Sequence, residues 1–381
     1  MSRRITYLLI CQALLVALFA SCEKKGPAVD NTVPELELST IPIEFRNAEF
    51  TAETKGNMLT NESIEDFGVF SIMKNYPQTD AFHVYMDNVK TAKSVTGNVW
   101  STTPTYYWPQ LPDKELTFFA YAPYKENNDL SEMVQENGEW KMKITHNVPE
   151  NPVQQVDLCV ARDIVPKTIK NTDLEKPIEM NFAHTLTSVT FAANYVGTLP
   201  ENTVLRVSGL KVSNVLNTGT LAVNSKDEKD TPWFEWSPDN TQKGDVIMTT
   251  YNGALKTAEN NIVANNGKND NHVTLLMGGV DAYMIPQTIN EVGVQDADQS
   301  ILSMTLSYYE PDPKVQGVMI EVAQFATEVL LPRTEWNAGR KVKYAFTIDV
   351  DKVWIADIVV TANQVEPWVN SENEHFDTTI K

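Results

Sequence analysis

Along much of the chain apolar and polar side chains alternate with a period of two, the pattern of a strand with one buried and one wet face. Trp140, Met142 and Ile144 alternate with Lys141, Lys143 and Thr145, and Ile178, Met180 and Phe182 with Glu179 and Asn181. In the second half Leu302, Met304, Leu306 and Tyr308 alternate with Ser303, Thr305 and Ser307. There too Val342, Tyr344, Phe346, Ile348 and Val350 alternate with Lys343, Ala345, Thr347 and Asp349. Turn-rich stretches such as Asn265 to Asn271 separate these runs. Helical spacing is confined to a short candidate from Leu130 to Gln135. Many short strands without intervening helices predict an all-β chain built of β-sandwiches and not a parallel α/β sheet. No short repeat is present, which removes solenoids and propellers.

The N-terminus reads differently. Arg3 and Arg4 precede an apolar stretch that includes Leu8, Leu9, Ile10, Leu14, Leu15, Val16 and Leu18 and stops at Cys22. Such a segment is a signal for export, removed in the mature protein. Phe19-Ala20-Ser21-Cys22 resembles the lipobox of bacterial lipoproteins, with Phe19 in place of the usual Leu, and this makes Cys22 the expected site of lipidation. Acyl chains there would hold the chain at a membrane, each buried methylene contributing about 0.8 kcal/mol. The expected layout is a signal peptide over 1–21, a polar tether over 22–36, and two β-sandwich domains over 37–174 and 175–381. The boundary is placed in the polar stretch from Lys167 to Pro177.

Charge and cysteine count narrow the classes of function. With 31 basic against 50 acidic residues the formal net charge is −19, and loss of Arg3 and Arg4 with the signal takes it to −21. Nucleic acid, which needs a basic footprint, is excluded as a partner. Of the three cysteines Cys11 lies in the signal, Cys22 is the lipid site and Cys159 stands alone, so the mature chain has no internal disulfide. Its stability then rests on a large apolar core, which 381 residues at 42% hydrophobic composition can supply.

Several aromatic and apolar strings stand in order along the chain. The strongest is Tyr106-Tyr107-Trp108-Pro109 followed by Leu116-Thr117-Phe118-Phe119-Ala120-Tyr121-Ala122-Pro123-Tyr124. Val156-Asp157-Leu158-Cys159-Val160-Ala161, Phe182-Ala183-His184-Thr185-Leu186, Met284-Ile285-Pro286-Gln287, Trp336 to Tyr344 and Val365-Glu366-Pro367-Trp368 complete the pattern. Together, in this order, they resemble the fimbrillin family of Bacteroides-type bacteria. The resemblance implies two transthyretin-like Greek-key sandwiches and secretion as a lipoprotein to the cell outer membrane. It also implies assembly with other fimbrial subunits by strand exchange, after a trypsin-like protease removes the first strand. Adhesion to a host or bacterial surface ligand is implied with it. Arg46, which follows the strand-like Ile41 to Phe45, and Lys55 are the candidate maturation sites, Arg46 being preferred. The donor strand is open between Val353 to Thr361, apolar on both faces, and the polar tail Val369 to Lys381.

Read on their own chemistry, the aromatic strings describe a core, Pro123 and Pro286 end strands, and Gly339 marks a hairpin turn into the strand from Val342. His184 has no Cys, Asp or second His at ligand spacing and reads as an interior histidine. Asp296 to Ser300 opens like a calcium loop but lacks its glycine and closing glutamate. No hydrolase or phosphate-loop motif occurs, so no enzyme activity, cofactor or metal is expected. The rival readings are a monomeric surface lipoprotein that stacks glycan on Trp233 and Trp236 in a polar, turn-like insertion and, within the family resemblance, the anchor subunit of the fimbrium.

Overall fold

The computed structural model describes residues 35–47, 59, 63–94, 99–126, 131–174, 176–226, 232–248, 254–257, 273–276, 280–290, 293, 298–351 and 359–367. Among these residues the regular structure is β, apart from 3₁₀ conformation at Pro152–Gln154 and at Asp298. Residues Glu37–Lys381 form one compact unit.

An eight-stranded sheet runs in the order Ile178–Met180, Glu44–Asn47, Trp100–Thr103, Phe82–Lys93, Asp66–Lys74, Glu115–Ala122, Cys159–Lys167 and Ala183–His184. Its central strands Asp66–Lys74 and Glu115–Ala122 are buried nearly end to end, which explains why they read as continuous apolar runs and not as alternation. A six-stranded sheet is centred on Thr187–Val196, which pairs in parallel with Arg340–Asp349 from Ser188↔Lys341 to Val196↔Asp349. A four-stranded sheet pairs Val204–Leu216 with Ile301–Pro311, flanked by Lys243–Ile247 and Met319–Leu330. Another joins the hairpin Ser131–Glu136/Glu139–Asn147 to the hairpin Thr218–Asn224/Phe234–Pro238.

These ladders tie the two expected halves of the chain together. Glu139–Asn147 pairs with Thr218–Asn224, Glu44–Asn47 with Ile178–Met180, and Cys159–Lys167 with Ala183–His184. One apolar cluster likewise gathers Phe119, Tyr121 and Val160 with Phe191, Tyr344 and Phe346.

The strands expected around Trp140, Leu302 and Val342 are present, with Met142, Ile144, Leu302, Met304, Leu306, Val342, Tyr344, Phe346 and Ile348 inside. The strand expected at Ile178 ends at Met180, before Phe182. Two further expectations need correction. The helical candidate at 130–135 is a strand over Ser131–Glu136, and Leu130 lies outside the described residues. Its partner is reached through Asn137 and Gly138 at φ 51° and 81°, the left-handed pair of a two-residue hairpin turn, and cross-strand pairing there overrides helical spacing. Gly339 does turn the chain at φ 64°, but the preceding Thr334–Trp336 pairs with Gln287–Ile289 and not with Arg340–Asp349, so no hairpin forms. Within this all-β fold two strand pairs, Glu44–Asn47 with Ile178–Met180 and Thr187–Val196 with Arg340–Asp349, run parallel.

A candidate processing and assembly site

The chain enters the fold through two short strands. Leu38–Pro42 pairs with Tyr107–Pro109, Gln110 N donates to Glu37 O at 2.9 Å, and Ile43 N donates to Tyr106 O at 2.8 Å. Glu44–Asn47 then fits between Trp100–Thr103, antiparallel, and Ile178–Met180, parallel. Alternation along this segment sets its faces: Ile43 and Phe45 are 1% and 0% exposed, whereas Arg46 points outward.

Phe45 is the anchor. Its ring meets Phe67 at 6.1 Å and Phe118 at 5.5 Å, both edge-on, and Phe118 meets Trp108 at 6.3 Å. Phe182 closes the cluster on Phe67 at 5.2 Å. Burying Ile43 and Phe45 stabilises the fold by about 1.5–3 kcal/mol each. Taking the segment away would uncover an aromatic groove, open the edge of Trp100–Thr103, and leave Ile178–Met180 without its sheet partner. Arg46 pairs with Glu179, and with the side chains 44% and 48% exposed this contact adds little. Cys22 and Lys55, like residues 353–358 and 369–381, lie outside the described residues.

His184 is an interior histidine with partners that lie far off in sequence. Its Nδ1 is 2.8 Å from Asp157 Oδ2 and 3.3 Å from Cys159 Sγ, and all three residues are buried. The register Cys159↔His184 produces this meeting, which sequence spacing does not show. Burial pushes the Cys159 thiol well above its ordinary range, and the neighbouring Asp157 carboxylate adds to the effect. A second interior histidine, His146, lies in the sheet that joins the two hairpins, opposite Gly219, with its ring 6.2 Å from that of Trp236. Burial holds its imidazole down to about 3, with the Lys125 ammonium adding to the shift, and its Nδ1 has no hydrogen-bond partner among the described residues. Period-two alternation places His146 on the inner face of its strand with Met142 and Ile144, which is the signal that would have found it.

The two tryptophans stand in and beside the strand Phe234–Pro238, where a turn-like insertion was expected. Trp236 Nε1 donates to Thr185 O at 2.7 Å. Trp233 packs edge-on against Phe234 at 4.8 Å, with the Arg162 guanidinium 5.2 Å from its ring centre. Both rings are half-buried against the core.

The described residues define an all-β protein whose first strand is inserted in a sheet and whose core accounts for the aromatic strings. Comparison with known families agrees: the fimbrillin-like family model matches residues 51–368, and the chain belongs to that family. It is 24% identical over 294 residues to the fimbrium subunit Fim1C of Phocaeicola vulgatus, covering 73% of this chain and 74% of that protein. Among solved structures it resembles a fimbrial protein from Bacteroides vulgatus, with a TM-score of 0.58 at 18% identity, covering 86% of this chain and 99% of that one.

Proposed function

We propose that this protein is a structural subunit of a cell-surface fimbrium that contributes to adhesion. It is exported as a lipoprotein acylated on Cys22, carried off the outer membrane by the 22–36 tether, and matured by proteolysis after Arg46. The observation that carries the reading is the first-strand segment. It is inserted into the sheet with Ile43 and Phe45 in an aromatic groove, and it ends at an outward-facing basic residue. Release of that segment leaves a groove whose backbone edge and alternating pockets suit a strand from a neighbouring subunit, the strand-addition mode of recognition. The groove lies in a sandwich built mainly from residues 37–174, and a second sandwich is built mainly from 175–381. Membership of the fimbrillin-like family and the likeness to a fimbrium subunit support the assembly role.

The test is expression of the full precursor in a Bacteroides-type host, with determination of the surface protein's N-terminus and oligomeric state. A new N-terminus at Asn47 with ladders that survive mild denaturant is expected, and both are lost in Arg46→Ala. A start at Gly56 moves the cut to Lys55. An uncleaved monomer acylated on Cys22 overturns the polymerising role.

A further inference from the structure

The sequence spacing of Asp157, Cys159 and His184 conceals what the sheet does with them. Antiparallel pairing of Ala183–His184 with Cys159–Lys167 puts His184 directly opposite Cys159, and Asp157 lies two residues before Cys159 on the same side of the strand path. The potential ligand atoms of the three residues all lie within 4.8 Å of one another. Asp157 is 1%, Cys159 0% and His184 8% exposed.

One nitrogen serves both neighbours. Cys159 Sγ and Asp157 Oδ2 each approach Nδ1 of His184, at 3.3 and 2.8 Å. A nucleophile–base–orienter relay needs the thiol and the carboxylate on opposite ring nitrogens. The arrangement is therefore not that of a thiol hydrolase. Three donors of different type converging on one point is the arrangement of a metal site. A tetrahedral ion with bonds of about 2.0–2.3 Å spaces its ligand atoms by about 3.2–3.8 Å. The 3.3 Å Cys159–His184 separation falls in that range, and the 2.8 Å Asp157–His184 separation, now a hydrogen bond, would widen by about 0.5 Å to reach it.

Two independent features support a ligand there. Asp157 Oδ2 accepts from Leu59 N at 3.0 Å and meets His184, whereas Oδ1, on a residue almost wholly buried, has no hydrogen-bond partner among the described residues. An unsatisfied buried carboxylate oxygen is costly and calls for a cation or donor. In addition, a cavity of about 300 Å³ lined by Leu59, Pro123, Val153 and Gln155 has Asp157 in its wall, which gives a small ion or water a route to the carboxylate.

We propose that Asp157, Cys159 and His184 bind a divalent transition-metal ion, with zinc the best match to one thiolate, one imidazole and one carboxylate. Binding breaks the Cys159 S–H bond and forms a sulfur–metal bond, and the thiol proton leaves to solvent. The Nδ1–H that faces the Asp157 carboxylate is exchanged for a proton on Nε2 as the ion binds, so the ring keeps one proton and the Nδ1 lone pair turns to the metal. Thiolate and carboxylate together cancel the charge of the ion, so the loaded site is neutral, the condition under which a buried ion is tolerated. Water from the cavity, or the second carboxylate oxygen, completes the coordination. The site pins the end of Cys159–Lys167 to the segment that enters the next sheet, so metal binding stabilises the fold.

The full chain, stripped with a chelator and reduced, is titrated with Co²⁺ as an optical probe and with Zn²⁺ in thermal unfolding. One equivalent of Co²⁺ is expected to give a thiolate-to-metal charge-transfer band and the visible bands of a tetrahedral ion, and Zn²⁺ is expected to raise Tm. Cys159→Ala, a small apolar replacement at a fully buried position, should fold and lose both the charge-transfer band and the Zn²⁺-dependent rise. Absence of the band in the wild-type chain overturns the proposal. So does a Zn²⁺ response that persists unchanged in folded Cys159→Ala, because the ion then sits elsewhere.

Discussion

The buried His146 makes the joint between the two hairpins sensitive to acid, and the size of the effect follows from its environment. Its imidazole is held at about 3 when folded, against an ordinary value of 6.5. Above 6.5 the ring is neutral in both states and contributes no pH dependence. As pH falls below that value the unfolded chain takes up a proton that the folded chain refuses, and stability declines by about 1.4 kcal/mol per pH unit until the folded value is reached. Integrated from pH 8 to pH 5, the loss from this one residue is about 2 kcal/mol. The perturbation is His146→Phe, an aromatic of similar breadth that cannot protonate and keeps the edge contact with Trp236. Urea unfolding of wild type and variant at half-unit steps over this range isolates the residue. Whatever constant offset the substitution brings, and whatever other groups titrate, the stability of wild type minus that of the variant should fall by about 2 kcal/mol on going from pH 8 to pH 5. Curves that stay parallel would refute the argument, since they would mean that His146 protonates in the folded protein as readily as in the unfolded one.

Three further outcomes follow. Phe45→Ala removes the ring held between Phe67 and Phe118 and should lower stability by about 3–5 kcal/mol, seen as a reduced urea midpoint with a preserved β circular-dichroism signature. Asp281, 4% exposed, accepts from Ser188 Oγ at 2.7 Å and Thr190 Oγ1 at 2.8 Å and pairs with Lys341 at 2.9 Å. Asp281→Ala strands these donors at the parallel pair of Thr187–Val196 and Arg340–Asp349 and should cost about 3–5 kcal/mol in equilibrium unfolding, of which Asp281→Ala/Lys341→Met recovers only the part owed to the ammonium, since the two buried hydroxyls stay unpaired. Gly68→Ala places a methyl carbon 2.4 Å from the Tyr121 ring and 2.7 Å from Asn88 Oδ1. It should break the 2.7 Å Tyr121–Asn88 hydrogen bond and lower Tm, with a larger loss for Gly68→Val.

The alternation of Trp140–Ile144, Leu302–Tyr308 and Val342–Ile348 was enough to place those strands, because one face of each is buried and period two has a single cause there. It failed at Ser131–Glu136, where half-exposed residues carry no clean period and the deciding feature is the Asn137-Gly138 turn and the partner beyond it. Sheet order was not legible either. The pairing of Thr187–Val196 with Arg340–Asp349 joins residues about 150 positions apart, and a central strand buried on both faces offers no alternation from which its neighbours could be inferred. The same distance hid the company of His184. Asp157 precedes it by 27 positions, and only the ladder brings them together.

On the proposed assembly, the first strand would serve both the stability of the precursor and the polymerisation of the mature subunit. Ile43 and Phe45 bind it through two apolar anchors, while its polar contact, Arg46 with Glu179, lies in water and adds little. Its backbone partners on one side are the three residues Ile178–Met180 at the end of the sheet. The segment is therefore held by burial and not by a locked polar network, so any strand offering apolar side chains at alternate positions meets the same groove on nearly equal terms. Cleavage after Arg46 would turn an intramolecular strand into a dissociable one, and the loss of effective concentration then favours a replacement that is covalently part of the next subunit. Specificity for the incoming strand then lies in the pockets of Ile43 and Phe45. A strand with charged residues at those two positions would be rejected by the cost of burying them, however well its backbone paired.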